Sequence, residues 1–264
     1  VELLIAHPAV RRINFTGSTP VGRIIARTCG EHLKPAVLEL GGKAPLLVLD
    51  DADLEQAAAG AIFGAFANAG QICMSTERII VDATVAEAFV AQLARRAAAL
   101  PASLLGPVVD MKTVTRCNAL IEDALAKGAR LLAGGLSDST QMRATLLDGV
   151  TREMRIWHEE SFGPVKSIIR VKDEAEALAV ANESEYGLSS AIYSRDSARA
   201  WNLAQNLQTG ICHINGPTVH DEAQMPFGGC KSSGYGRFGG RAGIAEFTEL
   251  RWVTLQTVPR ELPF

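Results

Sequence analysis

Short apolar runs take turns with helix-period segments along nearly the whole chain, and this alternation limits the available folds more than any other feature. "RRINFTG" (11–17), "AVLEL" (36–40), "PLLVL" (45–49), "ERIIV" (77–81), "SSAIYS" (189–194) and "ICHIN" (211–215) read as strands. Helical spacing occupies 19–30, 54–70, 84–99, 111–128, a stretch from Asp173 onward, and 196–210. Repeated strand–helix–strand units predict an α/β fold with a doubly wound, mostly parallel sheet. Gly30 stands where a helix would stop, and Asp51 or Asp53 where one would be capped. The segment 54–70 is Ala-rich and nearly apolar all round, which predicts a buried helix. Near the C-terminus, "EFTELRWVTLQTV" alternates like an exposed or pairing strand.

Composition excludes several function classes. The chain of 264 residues has a formal charge of −3 with signs mixed throughout, so no nucleic-acid surface is expected. No apolar run reaches the roughly 18 residues needed to cross a bilayer. The opening "VELLIAHPAVRRINF" lacks the layout of a signal peptide. It also lacks an initiating Met and begins in mid-element, which reads as a fragment of something longer. The five cysteines (Cys29, Cys73, Cys117, Cys212, Cys230) are scattered without a C-x-x-C pair. That argues against a disulfide framework or a zinc site and for a reducing, cytoplasmic setting.

Four short stretches carry possible chemistry. In "GQICMSTER" (70–78), Cys73 is either a nucleophile or a small core residue, and the thiol in isolation does not decide. "LELGGKAP" (38–45) puts Glu39 inside an apolar strand, where a buried carboxyl with a raised pKa would suit a general base. Alternatively the strand ends there and Glu39 faces water. In "GSTPVG" (17–22) the Gly17-Ser18 turn between strand and helix could meet a pyrophosphate, or Ser18 or Thr19 could simply cap the helix. The same stretch lacks the Lys and Ser/Thr of a P-loop. "HEESFGPV" (158–165) pairs two acids with Phe162, as a ribose clamp and ring contact or as a solvated turn. "GYGRFG" (234–239) matches G-x-G-x-x-G, but follows no apolar strand and so lacks the required context.

Taken in order, "FTGSTPVGR", "LELGGKAP", "GQIC", "EESFGPV" and "PFGGCKSSGYGR" resemble the NAD(P)-dependent aldehyde dehydrogenase superfamily across the whole chain. "AIFGAFANAGQICMSTERIIVD" and the stretch from Gly210 onward resemble the branch acting on aromatic aldehydes such as salicylaldehyde, vanillin or benzaldehyde. The resemblance implies Cys73 as nucleophile, its backbone N–H as part of the oxyanion site, and Glu39 as general base for thioester hydrolysis. It implies cofactor contacts from Gly17, Ser18, Gly22, Leu40 (through its backbone), Glu160 and Phe162, with no metal. The implied cofactor is NAD, with NADP left open. Segment 211–225 would line the aldehyde tunnel. Residues 1–39 would be the remnant of a Rossmann-like cofactor domain, 40–241 the catalytic domain, and 242–264 a tail ending in an oligomerisation strand of a dimer or tetramer. Family chains are roughly twice this length, so most of the cofactor domain is expected to be missing. With it would go the Lys that grips the adenosine ribose and the Asn that completes the oxyanion site. Met225 and Phe238 depart from the family pattern, which has Asn and Glu there. A semialdehyde or aliphatic aldehyde dehydrogenase is the alternative among enzymes, and an inactive oligomerisation module the alternative for the isolated fragment.

Overall fold

The computed structural model describes residues 1–264 apart from the side chain of Ala102. The elements run α1 (Glu2–Ala6), β1 (Ile13–Thr16), α2 (Thr19–Glu31), β2 (Ala36–Glu39), β3 (Ala44–Val48), α3 (Leu54–Phe66), β4 (Thr76–Asp82), α4 (Ala86–Ala99), α5 (Ala102–Leu105) and α6 (Met111–Ala126). They continue with β5 (Arg130–Ala133), β6 (Thr145–Asp148), α7 (Arg155–His158), β7 (Val165–Val171), α8 (Glu174–Asn182), β8 (Tyr186–Gly187) and β9 (Ser189–Tyr193). Last come α9 (Ser197–Ala204), β10 (Ile211–Ile214), β11 (Cys230–Lys231), β12 (Gly234–Tyr235) and α10 (Gly240–Glu246).

Seven strands form the main sheet in the order β10-β9-β3-β4-β7-β6-β5. All neighbours are parallel except the β5–β6 pair at one edge. The period-2 pattern of β3 and β4 splits their side chains between two layers. Leu46, Val48, Ile79 and Val81 pack with α3 and α4 on one face, while Leu47, Leu49 and Ile80 pack with α6, α8 and α9 on the other. The sheet is therefore doubly wound, as the alternation of elements predicts. A smaller sheet, β1-β2-β12, has β1 and β2 parallel and β12 antiparallel. It packs with α2 around its own cluster of Ile13, Ile25, Cys29, Ala36 and Leu38.

Several boundaries differ from the sequence reading. Helix α3 is capped by Asp53, whose side chain accepts from the amides of Glu55 and Gln56, and it ends at Phe66 instead of 70. The Ser75 hydroxyl, donating to the carbonyls of Gly64 (3.0 Å) and Ala65 (3.2 Å), satisfies its last turn. The helix is not apolar on a buried face all round, since Phe63 is exposed. Helix α2 passes through Gly30. The left-handed stop is Leu33 (φ 51°), with Lys34 N donating to Cys29 O and Leu33 N to Gly30 O. Helix α9 stops at Ala204, before the predicted 210. Residues 248–264 form no strand and stay exposed, Trp252 and Leu255 included. Alternation by itself cannot make a strand where no neighbouring edge supplies hydrogen bonds. The boundary expected at 241–242 falls inside α10. Among the described residues, no helix is long and apolar enough to cross a membrane.

Candidate active site

A cleft of about 910 Å³ opens where the carboxyl ends of β1 and β2 face the amino ends of β3, β4 and β7. Its lining includes Gly17, Ser18, Glu39, Leu40, Cys73, Glu160 and Phe162, seven of the eight residues singled out from the sequence. Gly22 is the exception. It lies on the buried face of α2, where a Cβ would come within 2.4 Å of Leu40 Cδ2. Its small size lets α2 close onto the end of β2, so it is a packing residue and not a cleft contact.

Cys73 sits in a tight turn closed by Ser75 N donating to Ile72 O (2.8 Å), just before β4. Its thiol is half-buried. Burial pushes the thiol pKa up, and the charge and hydrogen bonding of Glu39 push it further; the Met74 amide opposes this and Glu160 adds to it. Cys73 is therefore held as a thiol. Glu39 closes β2 and is 4 % exposed, so the strand does not end in water. Burial raises its pKa, a contact with the Cys73 thiol partly opposes the rise, and Oε1 has no hydrogen-bond partner. A buried carboxyl with raised proton affinity beside a thiol can take a proton from it.

The double glycine after Leu40 is explained by two close approaches. A Cβ on Gly41 would lie 2.5 Å from Glu160 Oε2, and one on Gly42 only 2.2 Å from the carbonyl oxygen of Cys73. Gly42 N also donates to Glu160 Oε1 (2.9 Å). The neighbouring acids take different paths. Glu159, half-exposed in the cleft lining, pairs with Arg155 (2.7 Å), whereas Glu160 is half-buried, and burial raises its pKa to about 7 despite the Gly42 amide. Phe162 lines the same cleft with a left-handed backbone (φ 42°). Ser18 N-caps α2, preceding Pro20, but its side chain makes no capping bond. Leu40 donates its N–H to Ser233 O (3.0 Å).

Beneath the cleft lies a charged cluster that the sequence reading missed. Lys43 Nζ and Lys166 Nζ each donate to the Glu77 carboxylate at 2.7 Å, and all three side chains are at most 2 % exposed. Ser161 donates to Glu77 from its amide (3.0 Å) and its hydroxyl (2.5 Å), and Lys43 also donates to Glu159 O (2.6 Å). The two ammonium groups hold Glu77 down to about pH 2 against the cost of its burial. These bonds grip residues 159 and 161 on either side of Glu160. Arg116, also missed, lines the cleft and donates twice to Ser161 O at 3.1 Å. Strand character in "ERIIV" would not by itself place a Glu-Arg pair at 77–78 inside the core.

Part of segment 211–225 borders a second cavity of about 360 Å³, lined by Cys212, His213, His220 and Met225 among others; none of the eight candidates lines it. The segment is tied back to the start of β4 at Thr218, whose hydroxyl pairs with that of Thr76 at 2.8 Å. "GYGRFG" begins as β12, antiparallel to β2 in the small sheet, and ends at Gly239, the N-cap of the seven-residue α10; no apolar strand precedes its first glycine. At the two departures noted in the sequence, Phe227 and Phe238 exchange backbone bonds of 2.9 and 2.8 Å, closing the loop without a side chain at 225 or 238. Among the described residues, no group of three or more His, Cys, Asp or Glu could hold a metal ion.

Residues 1–253 match the model of the aldehyde dehydrogenase family. A vanillin dehydrogenase from Pseudomonas fluorescens is 63% identical over 270 residues, covering 100% of this chain and 56% of that protein. A salicylaldehyde dehydrogenase from Pseudomonas putida is 49% identical over 271 residues, with the same coverage of 100% and 56%. The crystal structure of a salicylaldehyde dehydrogenase from Pseudomonas putida G7 complexed with salicylaldehyde matches with a TM-score of 0.97 at 49% identity, covering 100% of this chain and 56% of that one. The chain thus spans about half the length of the curated relatives it matches.

Proposed function

Since the chain belongs to the aldehyde dehydrogenase family, we propose that the protein oxidises an aromatic aldehyde to its carboxylic acid, with Cys73 as nucleophile and Glu39 as general base. The observation that carries this reading is the buried Glu39 carboxyl set against the half-buried Cys73 thiol in one cleft. The similarity to vanillin and salicylaldehyde dehydrogenases supports the aromatic substrate class.

The cleft fits a nicotinamide dinucleotide. Ser18 leaves the first-turn amides of α2 to an outside acceptor, the kind of site that suits a pyrophosphate beside Gly17. Leu40, its N–H already taken, offers its carbonyl to the carboxamide. Glu160 offers a carboxylate to ribose hydroxyls, and Phe162 an aromatic face to the ring. When bound there, NAD or NADP supplies the hydride acceptor that turns the Cys73 adduct into a thioester.

The remaining steps belong to the chain itself. Glu39 takes the Cys73 proton, Sγ bonds to the aldehyde carbon, and the carbonyl oxygen gains negative charge beside the Cys73 amide. Once that first proton has passed to solvent, Glu39 accepts a proton from water as the hydroxide adds to the thioester carbon, and returns it to the departing sulfur. The C–S bond breaks, the acid leaves, and the thiol is restored. General-base assistance of this kind is worth about 10²–10⁴ in rate.

Residues 1–39 read as part of a cofactor domain, 40–241 as the catalytic domain and 242–264 as a tail for contact between copies. The exposed Trp252 and Leu255 support such a contact, in a dimer or tetramer. Five free cysteines fit a reducing cytoplasmic setting. The test is NADH formation with vanillin, salicylaldehyde, benzaldehyde and a straight-chain semialdehyde. Turnover should favour the aromatic aldehydes and vanish in Cys73→Ala. In Glu39→Gln turnover should fall by about 10² or more. Undiminished turnover in Cys73→Ala would sink the assignment of the nucleophile, and preference for the semialdehyde would sink the substrate class.

A further inference from the structure

The three residues just ahead of the Gln71–Cys73 segment all have left-handed backbones: Asn68 (φ 51°), Ala69 (φ 55°) and Gly70 (φ 72°). Side chains with a Cβ disfavour this region, and runs of it are rarer still. Such a turn persists only where its surroundings over-determine it. Ala69, fully buried, has no polar group of its own to help.

The bonds that hold the turn converge on Gln71. Its Nε2 donates to Asn68 O (3.1 Å) and to Pro107 O (3.3 Å), and its Oε1 accepts from Val109 N (2.8 Å). Its own backbone N donates to Asn68 O (3.1 Å), and its carbonyl accepts from Asn68 Nδ2 (3.3 Å). Gln71 lines the cleft, yet both ends of its amide are committed to backbone groups. The chain at 107–109 leads directly into Asp110, the cap of α6, which accepts from Thr113 N (2.8 Å). Helix α6 carries Arg116, which grips Ser161 next to Glu160.

We infer that Gln71 is a positioning residue: it latches the left-handed turn at 68–70 to the segment in front of α6, and so sets Cys73 against Glu39 and in register with the loop that carries Glu160. This rests on the reading of Cys73 as the nucleophile. Glutamine suits the task because one planar group must donate to two carbonyls and accept from an amide at the same time. A carboxylate would meet those carbonyls without a proton to give, and an apolar side chain would leave all three groups unpaired.

The test compares wild type with Gln71→Ala and Gln71→Met, the second of which keeps length and packing but removes the hydrogen bonds. Alkylation by iodoacetamide is followed separately for each cysteine peptide by mass spectrometry. Cys73 should react about tenfold faster in both variants as it leaves its buried seat, while the rates of the other four cysteines stay within about twofold. In the same variants kcat should fall by up to about 10² with the KM for dinucleotide little changed, as expected of a misplaced reacting atom. An unchanged Cys73 rate in both variants overturns the inference. So does wild-type behaviour of Gln71→Met, which would make packing sufficient, or equal acceleration of buried Cys29 and Cys117, which would make the effect global. The alkylation arm needs no aldehyde turnover, so failure of the enzymatic reading and failure of this one are separable.

Discussion

Glu160 is the residue whose charge state matters most near neutrality. Burial brings its pKa to about 7, so it ionises within the working range of most enzymes. A carboxylate accepts bonds from two ribose hydroxyls, which a protonated carboxyl does less well. Dinucleotide affinity, measured by fluorescence titration, should therefore weaken as pH falls from about 8 to about 6. Glu160→Gln should bind weakly at both ends of that range and show little pH dependence. The linkage to folding has the opposite sense. Because the folded pKa is raised, Glu160 detracts from stability progressively as pH rises from about 4.5 through about 7. At this scale the unusual chain neighbours of Cys73, Glu39 and Glu160 singled out three residues that share one cleft. At Gly22, where the family resemblance implied a cofactor contact, the side chain of Leu40 occupies the place a Cβ would take.

At the scale of elements, two glycines make a controlled contrast. Gly42 lies between β2 and β3, with a Cys73 backbone oxygen where its Cβ would go. Backbone cannot step aside as a flexible side chain can, so Gly42→Ala should cost about 1–3 kcal/mol in urea unfolding and should also displace Cys73. Gly30 sits in the last turn of α2 with nothing within 4 Å of its Cβ position and no positive φ. Gly30→Ala should stabilise by about 0.5–1 kcal/mol, since the helix gains propensity and the unfolded chain loses freedom. Neither sign was readable from the sequence, where Gly30 looked like a helix stop. The strands and long helices were readable because their periodicity is local. Helix ends were less so. The stop of α3 depends on Ser75, and that of α2 on a left-handed Leu33 that no turn preference announces.

For the whole molecule, the buried Lys43–Glu77–Lys166 cluster ties β3, β4 and β7 to the loop that carries Glu160. Removing its one carboxylate would leave two buried ammonium groups facing each other. Glu77→Gln should accordingly lower stability by about 3–5 kcal/mol, seen as a large drop in Tm. In the intact protein the depressed pKa of Glu77 contributes stability that is complete above about pH 4.5 and disappears as pH falls towards about 2. An acid titration followed by circular dichroism should show that limb, and an acid limb unchanged in Glu77→Gln would contradict this account. The sequence by itself determined the doubly wound class, the order of the motifs and the residues to look for in a candidate site. Periodicity, glycine pairs and an odd carboxyl in an apolar strand are all written within a few neighbouring residues. Only the tertiary structure decided that Gly42 meets Cys73, that Gln71 reaches Val109, and that Lys43, Glu77 and Lys166 share one charge cluster. Those partners are separated by some 30 to 90 positions, and no local pattern records a contact that the sheet order creates.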